Sequence, residues 1–205
     1  VPIPTNASIG RVLSILNGLN NAFLCRPASI VAPELLGWRL CRRIDGKVYT
    51  ARIVETEAYE ANDPACHGYQ KKTARNGSIF GAPGSIYVYL IYGIYHCLNI
   101  VTDREGVCSA VLVRAVEVEP VPVWCIQDKP HRVGAGPGKL CRALKIDRSL
   151  DGLFLAKDND LWLERPIEII TEQKIVQTTR IGITKGVEIP WRWYIKDNRS
   201  VSKLG

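Results

Sequence analysis

At 205 residues, with 46% hydrophobic and 23% charged side chains, the chain is sized for a single well-buried domain and has the composition of a soluble globular protein. No apolar run approaches the length of a bilayer span, and the first residues lack the basic-then-apolar layout of a signal peptide, so no membrane partner is expected. A net charge of +7 and a pI near 9.1 suit a polyanionic partner. That charge is concentrated between Asp128 and Arg148, where Lys129, Arg132, Lys139, Arg142, Lys145 and Arg148 face only two Asp residues.

Val1 to Asn6 reads as a loose end, and Ile9 to Leu24 has helical apolar spacing up to the interruption at Pro27. Ser29 to Leu36 predicts a second helix stopped by Gly37. Trp38–Arg43 and Lys47–Thr56 then predict two strands joined through Asp45-Gly46, a dipeptide that favours a tight hairpin. From Arg52 to Glu57 apolar and polar residues alternate, which sets Ile53 opposite to Val54 and puts Glu55 and Glu57 on one face, followed by Tyr59. Two carboxylates on a shared face are the first sign of chemistry; a solvated strand edge is the plainer reading. The next segment, Glu60 to Gly84, carries His67, Lys71, Lys72, Arg75 and Asn76, and such polar, turn-rich connections often carry function.

Gly84 to Val101 is dominated by β-branched and aromatic residues, with four of the eight tyrosines between Tyr87 and Tyr95. A reversal at Tyr92-Gly93 makes a hairpin with Tyr92 at its tip, where it could wedge between stacked bases. Without a reversal the stretch is one continuous core strand with Tyr92 packed inside. Thr102 to Gly106 predicts a turn and Cys108 to Val118 a strand, with Arg114 set among apolar neighbours. That Arg either meets a carboxylate, a phosphate or water, or reaches solvent from an edge strand.

His131 to Leu144 combines glycines at 134, 136 and 138 with Lys139 and Arg142 ahead of a helix. Exposed backbone N–H groups and adjacent cations suit phosphate oxygens, although the spacing is not that of a Walker loop and an ordinary start of a helix is the simpler reading. Further on, turns are expected at Asp151-Gly152 and Asp158–Asp160, a short strand at Trp162-Leu163, and a closing or edge strand over Pro190 to Ile195. The seven cysteines form no Cys-x-x-Cys pair and are expected to be reduced, buried thiols of an intracellular protein. Adjacent Cys66-His67 and His96-Cys97 do not make a tetrahedral site, so no metal is expected. Met is absent even from position 1, which is expected of numbering that begins inside a longer or processed chain.

Several of these stretches together resemble the alkyladenine (3-methyladenine) DNA glycosylase family. The resemblance rests on Arg52-Ile-Val-Glu-Thr-Glu-Ala-Tyr59, His67, Thr73-Ala-Arg-Asn76, the run from Pro83 to Asn99, Val111 to Pro120 and Gly136 to Leu144. It covers about residues 35–165 in order and, more thinly, the remainder; the first 24 residues match weakly. Family members often carry Pro where Ala74 stands and Met where Ile79 and Ile94 stand, apolar exchanges that leave the chemistry in place.

What the resemblance implies is a single-domain α/β (α+β) fold over residues 1–205, built on a curved antiparallel β-sheet with a protruding β-hairpin. It implies a monofunctional glycosylase that flips alkylated or deaminated purines (3-methyladenine, 7-methylguanine, hypoxanthine, ethenoadenine) out of double-stranded DNA and hydrolyses the N-glycosidic bond. By motif position, Glu57 matches the water-activating base and Arg114 the residue that helps hold the water. Tyr59, His67 and Tyr89 match the walls around the extruded base, and Asn99 the residue that disfavours the amino group of guanine. Tyr92, with Ile94 beside it, matches the group that fills the gap in the duplex. Arg75, Lys139 and Arg142 are the expected backbone contacts. No cofactor is expected, the protein is expected to act as a monomer, and the lack of a long basic N-terminal extension favours a bacterial cytoplasm over a nucleus. For a neutral base such as hypoxanthine a general acid is wanted, with His67 or an ordered water as candidate. The competing readings are a non-catalytic nucleic-acid-binding module on the same fold and an enzyme acting on free nucleosides.

Overall fold

A computed structural model describes residues 21–204. The expected loose end at Val1–Asn6 and most of the helix expected over Ile9–Leu24 lie outside the described residues. Asn21–Phe23 forms a single 3-10 turn. A first helix, α1, spans Ala28–Glu34, and Gly37 follows at φ +85°, as its stop signal predicts.

Eight strands form one antiparallel sheet that curls into a half-barrel: β1 (Arg39–Ile44), β2 (Lys47–Glu60), β3 (Ile86–Ile91), β4 (Tyr95–Val101), β5 (Ser109–Glu119), β6 (Leu161–Glu164), β7 (Ile175–Thr178) and β8 (Arg192–Ile195). Six follow the order β3-β4-β5-β2-β1-β6, while β8 pairs with both β2 and β7. A second short helix, α2, spans Pro137–Ala143. None of the described helices is long and apolar enough to cross a membrane.

The β1–β2 turn has Asp45 and Gly46 both at positive φ, the primed geometry that matches strand twist. The expected strand over Lys47–Thr56 runs on to Glu60, and the expected Pro190–Ile195 strand is no edge: it lies between β2 and β7.

The central pair, β2 and β5, is interrupted by two opposed bulges. Ile53 pairs with Val116, Glu55 with Ala115 and Thr56 with Val113, so Val54 is the extra residue on β2 and Arg114 the extra residue on β5. One extra residue inverts which side chains face the core. Before the bulge Tyr49, Ala51 and Ile53 point into the main core; after it Val54 and Ala58 do, and Thr56 bonds the α1 carbonyl of Ala32 at 2.8 Å. Without the bulge, Glu55, Glu57 and Tyr59 would continue the core-facing row. The kink turns them to the other side of the sheet.

That other side carries a smaller apolar cluster of Cys66, Ile79, Tyr87, Val101, Cys108 and Ala110, with Tyr59, Phe80 and Tyr89 packed against it. The main cluster takes the alternate residues, Ile86 and Val88 from β3 and Leu98 and Ile100 from β4, together with α1 and α2. All seven cysteines are free thiols; six are buried and Cys25 is exposed, which corrects the expectation of seven buried thiols.

Candidate active site

The inverted face of β2 opens onto a cavity of about 660 Å³, within the usual size of a small-molecule site. Glu57, Tyr59, His67, Tyr89, Asn99 and Arg114 all line it, with Arg75, Tyr92 and Lys139 at its walls. The structure therefore brings together every expected pocket residue. Five elements supply these side chains: β2, the 61–84 connection, the β3–β4 hairpin, β5 and, for Lys139, α2.

Glu57 is fully buried. Its Oε2 accepts the Tyr59 hydroxyl at 2.9 Å, and its Oε1 accepts the Ile181 N–H at 2.8 Å and lies 3.3 Å from Arg114 Nη1. Burial pushes its carboxyl above the ordinary range, and Arg114, Ile181 and Tyr59 work against that push. Burial also raises the Tyr59 hydroxyl, so it remains a donor.

Glu55 shares the strand face, as the alternation predicts, yet it does not line the cavity. Its two oxygens take Arg192 Nε at 2.8 Å, Ser202 N–H at 2.7 Å and Arg114 Nε at 3.2 Å. A carboxylate so occupied has no lone pair turned to a substrate. Arg114 thus bridges two buried carboxylates, and the edge-strand reading of this Arg fails: its side chain is 11% exposed.

The aromatic wall is an ordered array. The His67 and Tyr89 rings meet edge to face at 4.5 Å, and Tyr87 donates to or accepts from His67 Nδ1 at 2.8 Å. Partial desolvation and, second, the nearby Arg75 lower the pKa of the imidazole, which favours its neutral form. Asn76 holds the segment in place: its Oδ1 accepts Thr73 N–H at 2.6 Å and its Nδ2 donates to the His67 carbonyl at 2.8 Å and the Lys71 carbonyl at 3.1 Å. Asn99 is buried and donates to the Tyr87 carbonyl at 3.1 Å.

Tyr92 stands at the tip of the β3–β4 hairpin, 82% exposed, which rules out the continuous core strand. Its φ is +53° and that of Gly93 is +73°, so the glycine supplies one of the two left-handed residues and Tyr92 itself bears the other. Ile94 is 68% exposed beside it. The turn end of the hairpin rests on α2: a Cβ on Gly138 would lie 2.9 Å from the Tyr95 ring, so only glycine allows this approach. Gly136 to Lys139 reach the cavity rim by this contact. Arg142 does not line the cavity; it is ion-paired with Asp128.

Two participants escape sequence reading. Ile181 reaches Glu57 from 124 positions away, and nothing in its own neighbourhood marks it. Tyr87 bonds His67 although only Tyr89 was expected in the pocket, a contact that the shared strand face of the two tyrosines could have suggested.

Comparison with known proteins gives a consistent picture. The family model for methylpurine-DNA glycosylase (MPG) matches residues 22–199. A 3-methyladenine DNA glycosylase by name from Synechococcus sp. (strain JA-3-3Ab) is 55% identical over 188 residues, covering 88% of this chain and 96% of the relative. Proteins of the same name from Trichodesmium erythraeum (51% identical, 90% and 97% covered) and Carboxydothermus hydrogenoformans (42% identical, 90% and 98% covered) are similar over their whole length as well.

Proposed function

Since the chain belongs to the methylpurine-DNA glycosylase family and is a DNA glycosylase of DNA repair, we propose that it removes alkylated and deaminated purines from duplex DNA through a water activated by Glu57. The substrates are 3-methyladenine, 7-methylguanine, hypoxanthine and ethenoadenine, and the product is an abasic site. The observation that carries this reading is the position of Glu57, a buried carboxylate that opens only onto an aromatic-walled cavity beside the exposed Tyr92.

A paired base is out of reach inside the helix, so it must leave the stack. Tyr92, with Ile94, fills the gap on the duplex side while the base enters between Tyr59, His67 and Tyr89. Each stacking contact contributes about 1–3 kcal/mol. A base made cationic by alkylation gains further from the ring faces. Asn99 lines the cavity and is the residue that would disfavour the extra 2-amino group of guanine. Lys139 and Arg75 hold backbone phosphates, with Arg142 as a more distant cation.

Glu57 then accepts a proton from a water that Arg114 helps to hold, and the water oxygen bonds to the sugar C1′. The glycosidic bond breaks and its electron pair leaves on the base. A cationic purine departs as a neutral molecule, so one carboxylate suffices where ordinary glycoside hydrolysis uses two. Nothing in this scheme calls on a metal, and the protein is expected to work as a monomer. The alternative of a non-catalytic binding module is disfavoured, since Glu57, Tyr59, Tyr92, Asn99 and Arg114 are all present together.

The test is a duplex oligonucleotide carrying one hypoxanthine, beside a twin carrying alkylated purines, incubated with the protein in EDTA and then cleaved at abasic sites with hot alkali. Strand cleavage at both lesions is expected. Cleavage at neither would overturn the substrate class, and full cleavage by Glu57→Gln would overturn the role of Glu57.

A further inference from the structure

Asp63 and Arg180 stand outside the cavity wall, yet they tie its parts together. Both side chains are fully buried, and Arg180 donates through Nη1 and Nη2 to the two oxygens of Asp63. The same guanidinium donates to the Ala58 carbonyl at 2.9 Å and the Gly186 carbonyl at 3.2 Å. It lies 4.7 Å from the centroid of the Tyr59 ring. Asp63 also accepts the Ala65 N–H at 3.0 Å, two residues ahead of His67. The residue after Arg180 is Ile181, whose N–H binds Glu57 at 2.8 Å.

One buried pair therefore joins three segments: the end of β2 with Glu57 and Tyr59, the connection that carries His67, and the segment around Ile181. Stability alone does not call for it. A buried ion pair is commonly no better than apolar residues of the same volume, and here Arg180 Nε has no hydrogen-bond partner. What apolar residues could not do is fix the register of the Ile181 N–H against a carboxylate 124 positions away.

We propose that Asp63 and Arg180 are positioning residues for the hydrolytic step, which hold the Ile181 N–H on Glu57 and set a fixed positive charge beside Tyr59. Neither touches the reacting atoms. The proposal rests on the assignment of Glu57 as the base. The other titratable or charged groups that face Glu57 are Arg114 on β5, Glu55 and Tyr59 on β2, Tyr89 on β3 and Cys97 on β4. Loss of the Ile181 donor and of the Arg180 cation therefore changes the acid limb of the rate profile against an otherwise constant background.

The experiment uses the whole chain with Asp63→Asn/Arg180→Gln, which removes the pair without leaving a lone buried charge, and Arg180→Lys, which keeps the charge and removes the fork. Single-turnover excision is expected to fall about 10–100-fold in the double variant and in Arg180→Lys, as for a catalytic group displaced by a fraction of an ångström to one ångström. Affinity for the lesion duplex stays near that of the wild type. In the double variant the acid limb moves to higher pH, because the Glu57 carboxylate loses a donor. Should the double variant not fold, Arg180→Lys carries the rate test. An unchanged rate in folded protein, a loss matched by a smaller fraction of active molecules, or an unmoved acid limb would each overturn the proposal. The Glu57 assignment is read separately: wild type must excise the lesion and Glu57→Gln must not. If that assignment fails, the ¹³C carboxyl titration of Glu57 still reads the coupling, and identical titrations in wild type and double variant would sink it.

Discussion

Ile181 gives its backbone N–H to Glu57 at 2.8 Å across 124 positions of sequence, so the most protected acceptor in the cavity is set by the far end of the chain. The same carboxyl is pushed above its ordinary range by burial. Its charged form, the form that can take a proton from water, is therefore bought with native stability.

Glu57→Gln follows directly. Turnover on a lesion duplex should fall by about 10²–10⁴-fold, the usual worth of a general base, while duplex binding persists. Stability should move the other way. A carboxyl whose folded pKa is raised favours the native state below its unfolded value and loses that contribution as pH rises through the folded value. Removing it should thus raise the melting temperature at neutral and alkaline pH and do little in acid. A calorimetric scan at several pH values checks the sign, and a lower melting point at neutral pH would count against it.

Arg114→Ala leaves Glu57 without its ion-pair partner and Glu55 with Arg192 and the Ser202 N–H. Breaking such a buried bridge should cost about 3–5 kcal/mol in urea denaturation. Residual activity should show its acid limb displaced to higher pH, because the charge that holds the Glu57 pKa down is gone. A limb at the wild-type position would show that Arg114 does not govern Glu57.

At the hairpin tip the two effects separate. Tyr92 bears a left-handed φ that a glycine adopts without strain. Tyr92→Gly should be neutral to stabilising by up to about 1 kcal/mol, yet should lose excision from fully paired duplex more than from a lesion placed in a mismatch. Equal losses on both substrates would argue that the ring does not fill the gap.

Lys139 and Arg142 are both basic residues of α2, but they should not behave alike. Lys139 lines the cavity rim, and Lys139→Ala should weaken binding across all sequences and lower the salt slope by about 1. Arg142 is engaged by Asp128, so Arg142→Ala should change the slope less. Fluorescence anisotropy titrations over a salt series compare the two.

Asn76→Ala removes acceptor and donor together from the Thr73, His67 and Lys71 backbone. A cost of about 1–3 kcal/mol is expected, along with weaker stacking on the His67 side. Stability and lesion affinity should fall together; a stable variant with normal affinity would show that the loop holds itself.

What could be read in advance was local. Asp45-Gly46 gave the first hairpin, the Tyr92-Gly93 step offered the second, and alternation put Glu55 and Glu57 on one face. Burial of both carboxylates was not legible, because it depends on paired bulges at Val54 and Arg114 that only the β2–β5 register reveals. Alternation alone also could not choose between Glu55 and Glu57; that choice depends on Arg192 and Ser202, which arrive from 137 and 147 positions away. Ile181 has no local signature at all. Residues that act through their backbone leave no mark in the side-chain pattern.

The strand that carries Glu57 changes neighbour halfway along: β1 pairs with its first half and β8 with residues 55–57. During synthesis the first partner emerges before β2 itself, whereas the second is translated more than 130 residues later. A nascent chain can thus close the β1–β2 hairpin and much of its apolar core while the carboxylates still lack Ile181, Arg192 and Ser202. Premature termination before residue 181 should leave a polypeptide that collapses without the donors that hold Glu57 and Glu55.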